Sequence, residues 1–310
     1  MAYDLKGKFA VVTGGGSGIS HTLTKMLLEA GCSVLVADLK LRPESEALLS
    51  EYPHPSPSGG PSNVFYQTDV TNWKQLKSMW NNALETFGRV DVVVNGAGIF
   101  EPPSSSFWFP PGSSAEAKDD SDAEIGQYKT FAVNMIGPIR LAQIAVEYWL
   151  KPENKGVAQG NLVWLASMGG YVHQMQTPFY YASKAGIVSM VKSLAKLKQS
   201  FGIRNSAVCP GPVWTPIFEA DYCRGRLLEE DVSLSAEECA GTIMKVLQEP
   251  QYGDGSIVEV QKVGTKEDSK VHIRDVALEA LYPTVGVFDQ VKAAMAEEAV
   301  MIKTLQEKGM

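Results

Sequence analysis

The chain is expected to fold as an α/β protein, a single doubly wound parallel sheet with helices on both faces. Three observations predict this. Short runs rich in Val and Ile recur along the chain without polar alternation, as strands buried on both faces should read. Amphipathic segments of helical period separate these runs, so strand and helix rotate. The first strand also passes through a glycine-rich turn directly into a helix.

The strands are read in order as KFAVVT (8–13), SVLVADL (33–39), NVFYQTDV (63–70), VDVVVNGAG (90–98), NLVWLAS (161–167), IRNSAVCPG (203–211) and GSIVEV (255–260). Helical patterns lie between them, over Ile19–Ala30, Trp73–Phe87, Glu124–Leu150, Pro178–Phe201 and Ala236–Gln248. With 310 residues, 45% of them hydrophobic, one large core is affordable in a single dinucleotide-sized domain. That domain is expected over 1–260, with an extension over 261–310. No internal repeat is visible.

Three segments depart from the rhythm. YPHPSPSGGPSN (52–63) is rich in Pro, Ser and Gly and reads as a surface loop. EPPSSSFWFPPGSSAEAKDDSD (101–122) follows the end of a strand, where open α/β sheets bind ligands, and has an apolar centre at Phe107, Trp108 and Phe109. It reads either as a lid or as a docked insertion. The tail from Gln261 carries a helical stretch, VFDQVKAAMAEEAVMIKTLQ (287–306), expected to pack on its own domain or on a partner subunit.

Bulk properties exclude several classes. A net charge of -7 gives no reason to expect nucleic acid or a membrane surface as a partner. Cys32, Cys209, Cys223 and Cys239 are scattered, which argues against a metal site or a disulfide framework and fits a reducing, cytoplasmic setting. No basic-then-apolar leader opens the chain, and no apolar run reaches membrane-spanning length.

The turn after the first strand reads TGGGSGIS, Thr13 to Ser20. Gly14 permits the tight turn, and Gly18, flanked by Ser17 and Ile19, lets a helix N-terminus approach a pyrophosphate. Ser20 stands where a further glycine would allow close helix–strand packing, and serine is small enough to substitute. This is the context of a dinucleotide-binding (Rossmann) unit. Asp38 closes the second strand, twenty residues beyond Gly18, and is suited to accept the hydroxyls of an adenosine ribose while repelling a 2′-phosphate. NAD is therefore expected rather than NADP, with Lys40 and Arg42 as the features that speak the other way. Asp69 and Val70 end the third strand where an adenine would lie; Asp69 reads alternatively as a helix N-cap.

Of eleven tyrosines, only Tyr180 has a lysine four residues on, Lys184, and the surrounding stretch reads as a helix. Residues so spaced share a helix face, and a phenol beside an ammonium has its charged form favoured. Proton abstraction at neutral pH calls for a tyrosine pKa lowered by roughly 3, about 4 kcal/mol. Ser167 lies upstream, at the end of a strand.

These residues resemble the short-chain dehydrogenase/reductase family over roughly Lys6 to Val260. The family's Thr-Gly-x-x-x-Gly turn matches Thr13, Gly14 and Gly18. Its Asn-Asn-Ala-Gly motif appears as Asn95, Gly96, Ala97 and Gly98, with Gly96 replacing the second asparagine. Its helix asparagine matches Asn134, its serine Ser167, and its tyrosine and lysine Tyr180 and Lys184. Its Pro-Gly-x-Val-x-Thr matches Pro210, Gly211, Val213 and Thr215. Within the family the chain looks most like the NAD-dependent 15-hydroxyprostaglandin dehydrogenase-like group, on Asp38, CPGPVWTPI and the closing GSIVEVQKVG.

The resemblance implies roles. Tyr180 would be the base in alcohol oxidation and the acid in ketone reduction. Lys184 would lower its pKa and bond the nicotinamide ribose, Ser167 would bond the substrate oxygen, and Asn134 would hold a water in a proton relay. Asn95, Gly96, Ala97, Pro210 and Gly211 would border the cofactor, and Val213 and Thr215 would contact the carboxamide. Homodimers or homotetramers built through the helices of Asn134 and Tyr180 are also implied, with Pro138 a candidate kink in the first.

Trp108, His173, Trp214 and Phe218 are candidates for the substrate pocket, with ordinary packing the alternative for the aromatic residues; His21 reads as a surface residue of the first helical turn. The expected function is hydride transfer between NAD(H) and a secondary alcohol or ketone of a lipophilic small molecule. Two alternatives remain open on sequence alone. One is a family-like enzyme of specialised biosynthesis that uses NADP(H) or guides a cyclisation or isomerisation, suggested by Ser20 and Gly96. The other is a dinucleotide-sensing binding protein without turnover.

Overall fold

The computed structural model describes residues 2–223, 225–228, 230–277 and 288–310. Strands Phe9–Thr13 (β1), Ser33–Asp38 (β2), Asn63–Gln67 (β3), Val92–Asn95 (β4), Asn161–Leu165 (β5), Arg204–Pro210 (β6), Asp254–Gly264 (β7) and Ser269–Asp275 (β8) form one sheet in the order β3-β2-β1-β4-β5-β6-β7-β8. All pairs from β3 to β7 are parallel, and β8 runs antiparallel along β7. The strand order reverses between β1 and β4, and such a switch point opens a crevice at the carboxyl ends of the strands.

Both faces of this sheet are covered, which is why its strands do not alternate in sequence. Val11 of β1 joins the core beneath helices Trp73–Phe87 (α3), Gly137–Leu150 (α5) and Pro178–Ser193 (α6). Its neighbours Ala10 and Val12 point the other way, into the core beneath Gly18–Glu29 (α1) and Ala236–Gln248 (α8).

Two elements went unread in the sequence. Helix Pro43–Glu51 (α2) is short and buries only Ser45 and Leu48, so it has no apolar stripe to detect. Its start was nonetheless written in Pro43 at the first helical position and in Glu44 and Glu46 near the positive end. Strand β8 is an edge strand whose alternation, Lys270-Val271-His272-Ile273-Arg274, turns Val271 and Ile273 toward the core. An antiparallel edge therefore closes an otherwise parallel sheet, and the boundary expected at Val260 falls inside β7.

Two helices are interrupted. The pattern over 124–150 begins as one turn, Lys129–Phe131 (α4), then a π-helical turn, Ala132–Ile136, before α5. Pro138 has no N–H to give the carbonyl of Asn134 four residues back, so a regular α-helical bond cannot form there. The pattern over 178–201 divides into α6 and Leu197–Phe201 (α7); the amide of Asn205 on β6 takes the Val191 carbonyl near the division.

The tail helix Phe288–Lys308 (α9) lies on its own domain; Val287, the expected first residue of that helix, is outside the described residues. Lys196 pairs with Glu298, Gln306 donates to the carbonyl of Ser200 at 3.0 Å, and Lys155 donates to the carbonyl of Gln306 at 2.5 Å. An apolar cavity of about 470 Å³ remains between α9 and the outer faces of α5, α6 and α7, lined by Ile139, Leu194, Ile302 and Leu305 among others.

Candidate active site

The glycine-rich turn is held by close approaches that a side chain would block. Gly14 has φ +71°, and a Cβ there would meet the backbone of Ala97 at 2.8 Å. A Cβ on Gly16 would stand 2.3 Å from the carbonyl of Lys40. Thr13 knots the same region, its hydroxyl accepting from the amides of Gly96 (3.1 Å) and Ala97 (3.2 Å). Helix α1 then starts at Gly18, φ +56°, with no side-chain cap from Ser17 and no acidic residue in its first turn. Its leading amides thus face the crevice without an anionic partner of their own.

A groove of about 340 Å³ runs along this turn. Gly14, Ser17, Gly18, Ile19, Asp38, Asp69, Val70, Gly96, Ala97 and Thr215 line it. Asp38 is fixed there by the amides of Gly16 (2.9 Å) and Leu39 (2.7 Å). Asp69 accepts from the amide and hydroxyl of Thr71, while Asn72 caps α3, so the capping role considered for Asp69 belongs to Asn72. Asn95 lies beneath the groove rather than on it, buried, its amide donating to the carbonyl of Pro138 at 3.2 Å. His21 is half-buried and hydrogen-bonded to Ser45 at 2.8 Å, joining α1 to α2, and burial lowers its pKa.

The two departures from the family pattern turn out to be one packing event. A Cβ on Gly96 would lie 2.2 Å from the hydroxyl oxygen of Ser20. Ser20 is buried, and its side chain occupies the space into which a residue at 96 would grow. The serine at 20 and the glycine at 96 thus pack against each other, and the carbonyl of Thr13, 2.7 Å from the same Cβ, also excludes a side chain at 96.

Ser167, Tyr180 and Lys184 meet at the wall of a second cavity of about 640 Å³, which shares Ile19, Gly96, Gly98, Ile99 and Thr215 with the groove. Ser167 lies two residues past the end of β5 and caps the following 3₁₀ turn, its hydroxyl accepting from the amide of Gly169 at 3.0 Å. Tyr180 and Lys184 sit one turn apart near the start of α6. The ammonium of Lys184 donates to the carbonyl of Leu165 at 2.9 Å and stands 5.8 Å from the centre of the Tyr180 ring. Asn134, buried, bonds both backbone groups of Ile99 and donates to the hydroxyl of Ser183. Gly98 lies against both groups: a Cβ built on it would be in ordinary contact with Asn134 Oδ1 at 3.5 Å and Lys184 Nζ at 3.7 Å.

The electrostatics differ from the sequence expectation. Although Tyr180 keeps part of its surface open to the cleft, protein surrounds it closely, and burial pushes its phenol up to about 12. A hydrogen bond with Ser167 works against that shift, and the expected lowering by Lys184 is not realised at this separation. Burial draws Lys184 itself down to about 8.

On the substrate side, Phe218, Pro210, Gly211 and Val213 line the larger cavity, together with Phe100, Tyr181, Gln174, Gln176 and Arg226. Trp108, His173 and Trp214 are exposed and do not line it. The indole of Trp108 instead donates to the carbonyl of Met175 at 2.8 Å, and Phe107 packs edge-on against Phe179 with ring centres 5.8 Å apart. Thr130 donates two hydrogen bonds to Ser105 at the base of the segment, from its amide to the hydroxyl and from its hydroxyl to the carbonyl. The insertion is docked beside α6, and none of its residues lines the cavity.

Glu101, the first residue of that insertion, escaped sequence reading. It is buried, and its carboxylate accepts from the hydroxyl of Ser106 (2.6 Å), the amide of Phe107 (3.1 Å) and the amide of Tyr180 (3.0 Å). An acid at the head of a loop carries no signal in sequence; only the fold brings it to the N-terminus of α6. Phe100 beside it packs tilted against the Tyr180 ring, ring centres 4.7 Å apart.

Comparison with known proteins agrees with this geometry. A model of the short chain dehydrogenase family matches residues 8–222. L-fucose dehydrogenase of Mus musculus is 31% identical over 213 residues, covering 69% of this chain and 68% of that protein. The 15-hydroxyprostaglandin dehydrogenase (NAD(+)) of Homo sapiens is 30% identical over 220 residues, 70% of this chain and 72% of that protein.

Proposed function

The chain belongs to the short-chain dehydrogenase family, and on that premise we propose that it is an NAD-dependent oxidoreductase interconverting a secondary alcohol and a ketone on a lipophilic small molecule. The observation that carries this reading is the meeting of Ser167, Tyr180 and Lys184 where two cavities adjoin, one built for a dinucleotide and the other walled by Ile99, Phe100, Val172, Ile217 and Phe218. The groove suits the cofactor on physical grounds. Its glycines are bare where a Cβ would strike backbone, the amides opening α1 are uncapped by any side chain, and Asp38 is held in place for a ribose.

A dinucleotide held in that groove would supply the hydride chemistry, the oxidised form as acceptor from the alcohol carbon and the reduced form as donor to the carbonyl. The phenol of Tyr180 moves the proton, accepting it from the alcohol and donating it to the ketone. Lys184 would bond the nicotinamide ribose, and Ser167 donates a hydrogen bond to the substrate oxygen. Asn134 fixes the loop at Ile99, and its carbonyl, which Pro138 cannot engage, accepts from a relay water. Gly14, Ser17, Gly18 and Ile19 would hold the pyrophosphate, Asp38 would take the adenosine ribose, and Asp69 and Val70 would border the adenine. Gly96, Ala97, Pro210, Gly211, Val213 and Thr215 border the nicotinamide half, and Asn95 supports them from below. The mutual fit of Ser20 and Gly96 removes the feature that had suggested a divergent chemistry.

The setting proposed is cytoplasmic, in keeping with four unpaired cysteines. Among the described residues no helix is long and apolar enough to cross a membrane. Family-like pairing through α5 and α6 would place a second copy where α9 lies, so a homodimer or homotetramer of that kind has to build α9 into its interface. The decisive test is titration with NADH and NADPH by nicotinamide fluorescence, then turnover of lipophilic secondary alcohols with NAD. Tight NADH binding, and loss of turnover with NADH binding kept in Tyr180→Phe, are expected. Binding of neither nucleotide, or turnover in that variant, overturns the reading.

A further inference from the structure

Arg42 was the feature of the sequence that spoke for NADP, and its surroundings explain why it need not act that way. Its amide donates to the carbonyl of Gly16 at 3.1 Å, the same residue whose own amide is bonded to Asp38. Ser45 Oγ reinforces this by donating to that carbonyl at 2.9 Å. The backbone of Arg42 is therefore tied to the glycine-rich turn beside the ribose carboxylate, the neighbourhood in which a 2′-phosphate would have to be received. Its guanidinium, however, is turned across the groove. Nη1 donates to Glu219 Oε1 at 3.2 Å, and Nη2 bonds the second carboxylate oxygen. Glu219 follows Thr215, Pro216 and Ile217, which form the opposite wall of the groove. The two-pronged pair thus links the two lips of the cofactor groove.

We propose that Glu219 is a positioning residue for cofactor choice: by engaging Arg42 it withholds the guanidinium tied beside Asp38 from a 2′-phosphate. Discrimination then has two parts. Asp38 accepts from the ribose hydroxyls and repels a phosphate, and Glu219 occupies the cation that would otherwise offset that repulsion. A guanidinium suits a phosphate because its planar fork donates two parallel hydrogen bonds. The same fork is satisfied by one carboxylate, so it cannot serve both. Lys40 is the competing cation; it is exposed and makes no ion pair among the described residues.

The inference rests on the NAD reading above, and the experiment separates the two. Dissociation constants of NADH and NADPH are measured by fluorescence for the wild type, Glu219→Gln, Arg42→Gln, the double variant, and Glu219→Gln with Lys40→Gln. Both partners are substantially exposed, 38% and 61% for the side chains, so the variants are expected to fold. Glu219→Gln should tighten NADPH relative to NADH by about fivefold, about 1 kcal/mol, the scale of an exposed ion pair. The gain should vanish when Arg42→Gln is added and persist when Lys40→Gln is added. It should also shrink at high salt. A merely structural role would shift both nucleotides together and leave their ratio unmoved. An unmoved ratio in Glu219→Gln, or a gain that depends on Lys40 instead of Arg42, overturns the inference. A wild type that prefers NADPH overturns the NAD reading itself, and this inference with it.

Discussion

Replacing Glu101 should slow the enzyme more than it unfolds it. The carboxylate is 3% exposed and takes three hydrogen bonds, one of them from the amide of Tyr180. In Glu101→Gln one oxygen remains to serve Ser106 and Phe107, but an amide NH₂ then faces the amide of Tyr180, two donors with no acceptor. Losing a charge-assisted bond of this kind costs about 2 kcal/mol. Glu101→Ala strands the Ser106 hydroxyl and both amides in a buried site and should cost about 4 kcal/mol. Relief of the clash moves the first turn of α6, and with it the ring of Tyr180, whose phenol must meet the substrate oxygen. A displacement of about 1 Å at the reacting groups can lower a rate by about 100-fold. We therefore expect kcat to fall at least about tenfold in Glu101→Gln, with the dissociation constant for NADH changed by less than about threefold, because neither Glu101 nor Tyr180 lines the groove. The assay pairs kcat and KM at saturating NAD with urea unfolding of the same preparations. Unchanged kcat in Glu101→Ala would refute the reasoning. So would a loss of activity that only follows the fraction unfolded, since that would make Glu101 a general brace rather than a support for Tyr180.

Two further expectations follow from the site. Gly96→Asn should lose more than about 2 kcal/mol of stability through its clash with Ser20, and Ser20→Gly should recover at least about 1 kcal/mol of it in the double variant; additive losses would show that the two positions are not coupled. With the phenol at about 12 and the ammonium at about 8, the Tyr180–Lys184 pair surrenders its first proton near pH 8. That proton leaves Lys184, whose neutral amine can then take the proton Tyr180 draws from the alcohol and whose ammonium can return one during reduction, so alcohol oxidation should rise, and ketone reduction fall, as pH increases through about 8. Profiles of kcat/KM in the two directions measure this, and a pair of profiles moving the same way would contradict it.

What the chain spelled out locally was read correctly where a single physical rule dominates. Valine-rich runs buried on both faces mark parallel strands, and a glycine turn between strand and helix marks the groove at the end of β1. The spacing of Tyr180 and Lys184 marks a shared helix face. β8 and α2 escaped because each buries too little to imprint a strong pattern, the first at a sheet edge and the second with two buried residues. The π-helical turn was foreshadowed by Pro138, although its form depends on how the carbonyls around Asn134 find partners.

Properties of residue types in order along the chain determined the layered sheet, the dinucleotide turn and the Ser167–Tyr180–Lys184 arrangement. Contacts between segments far apart in the chain decided the rest. Glu101 meets Tyr180 across 79 positions and Arg42 meets Glu219 across 177. Trp108 is drawn to Met175 and away from the cavity, and α9 settles on the helices that family resemblance had reserved for a partner. Burial, which sets the pKa of Tyr180 and Lys184 here more strongly than their proximity does, is likewise a property of the assembled core and of no local stretch of sequence.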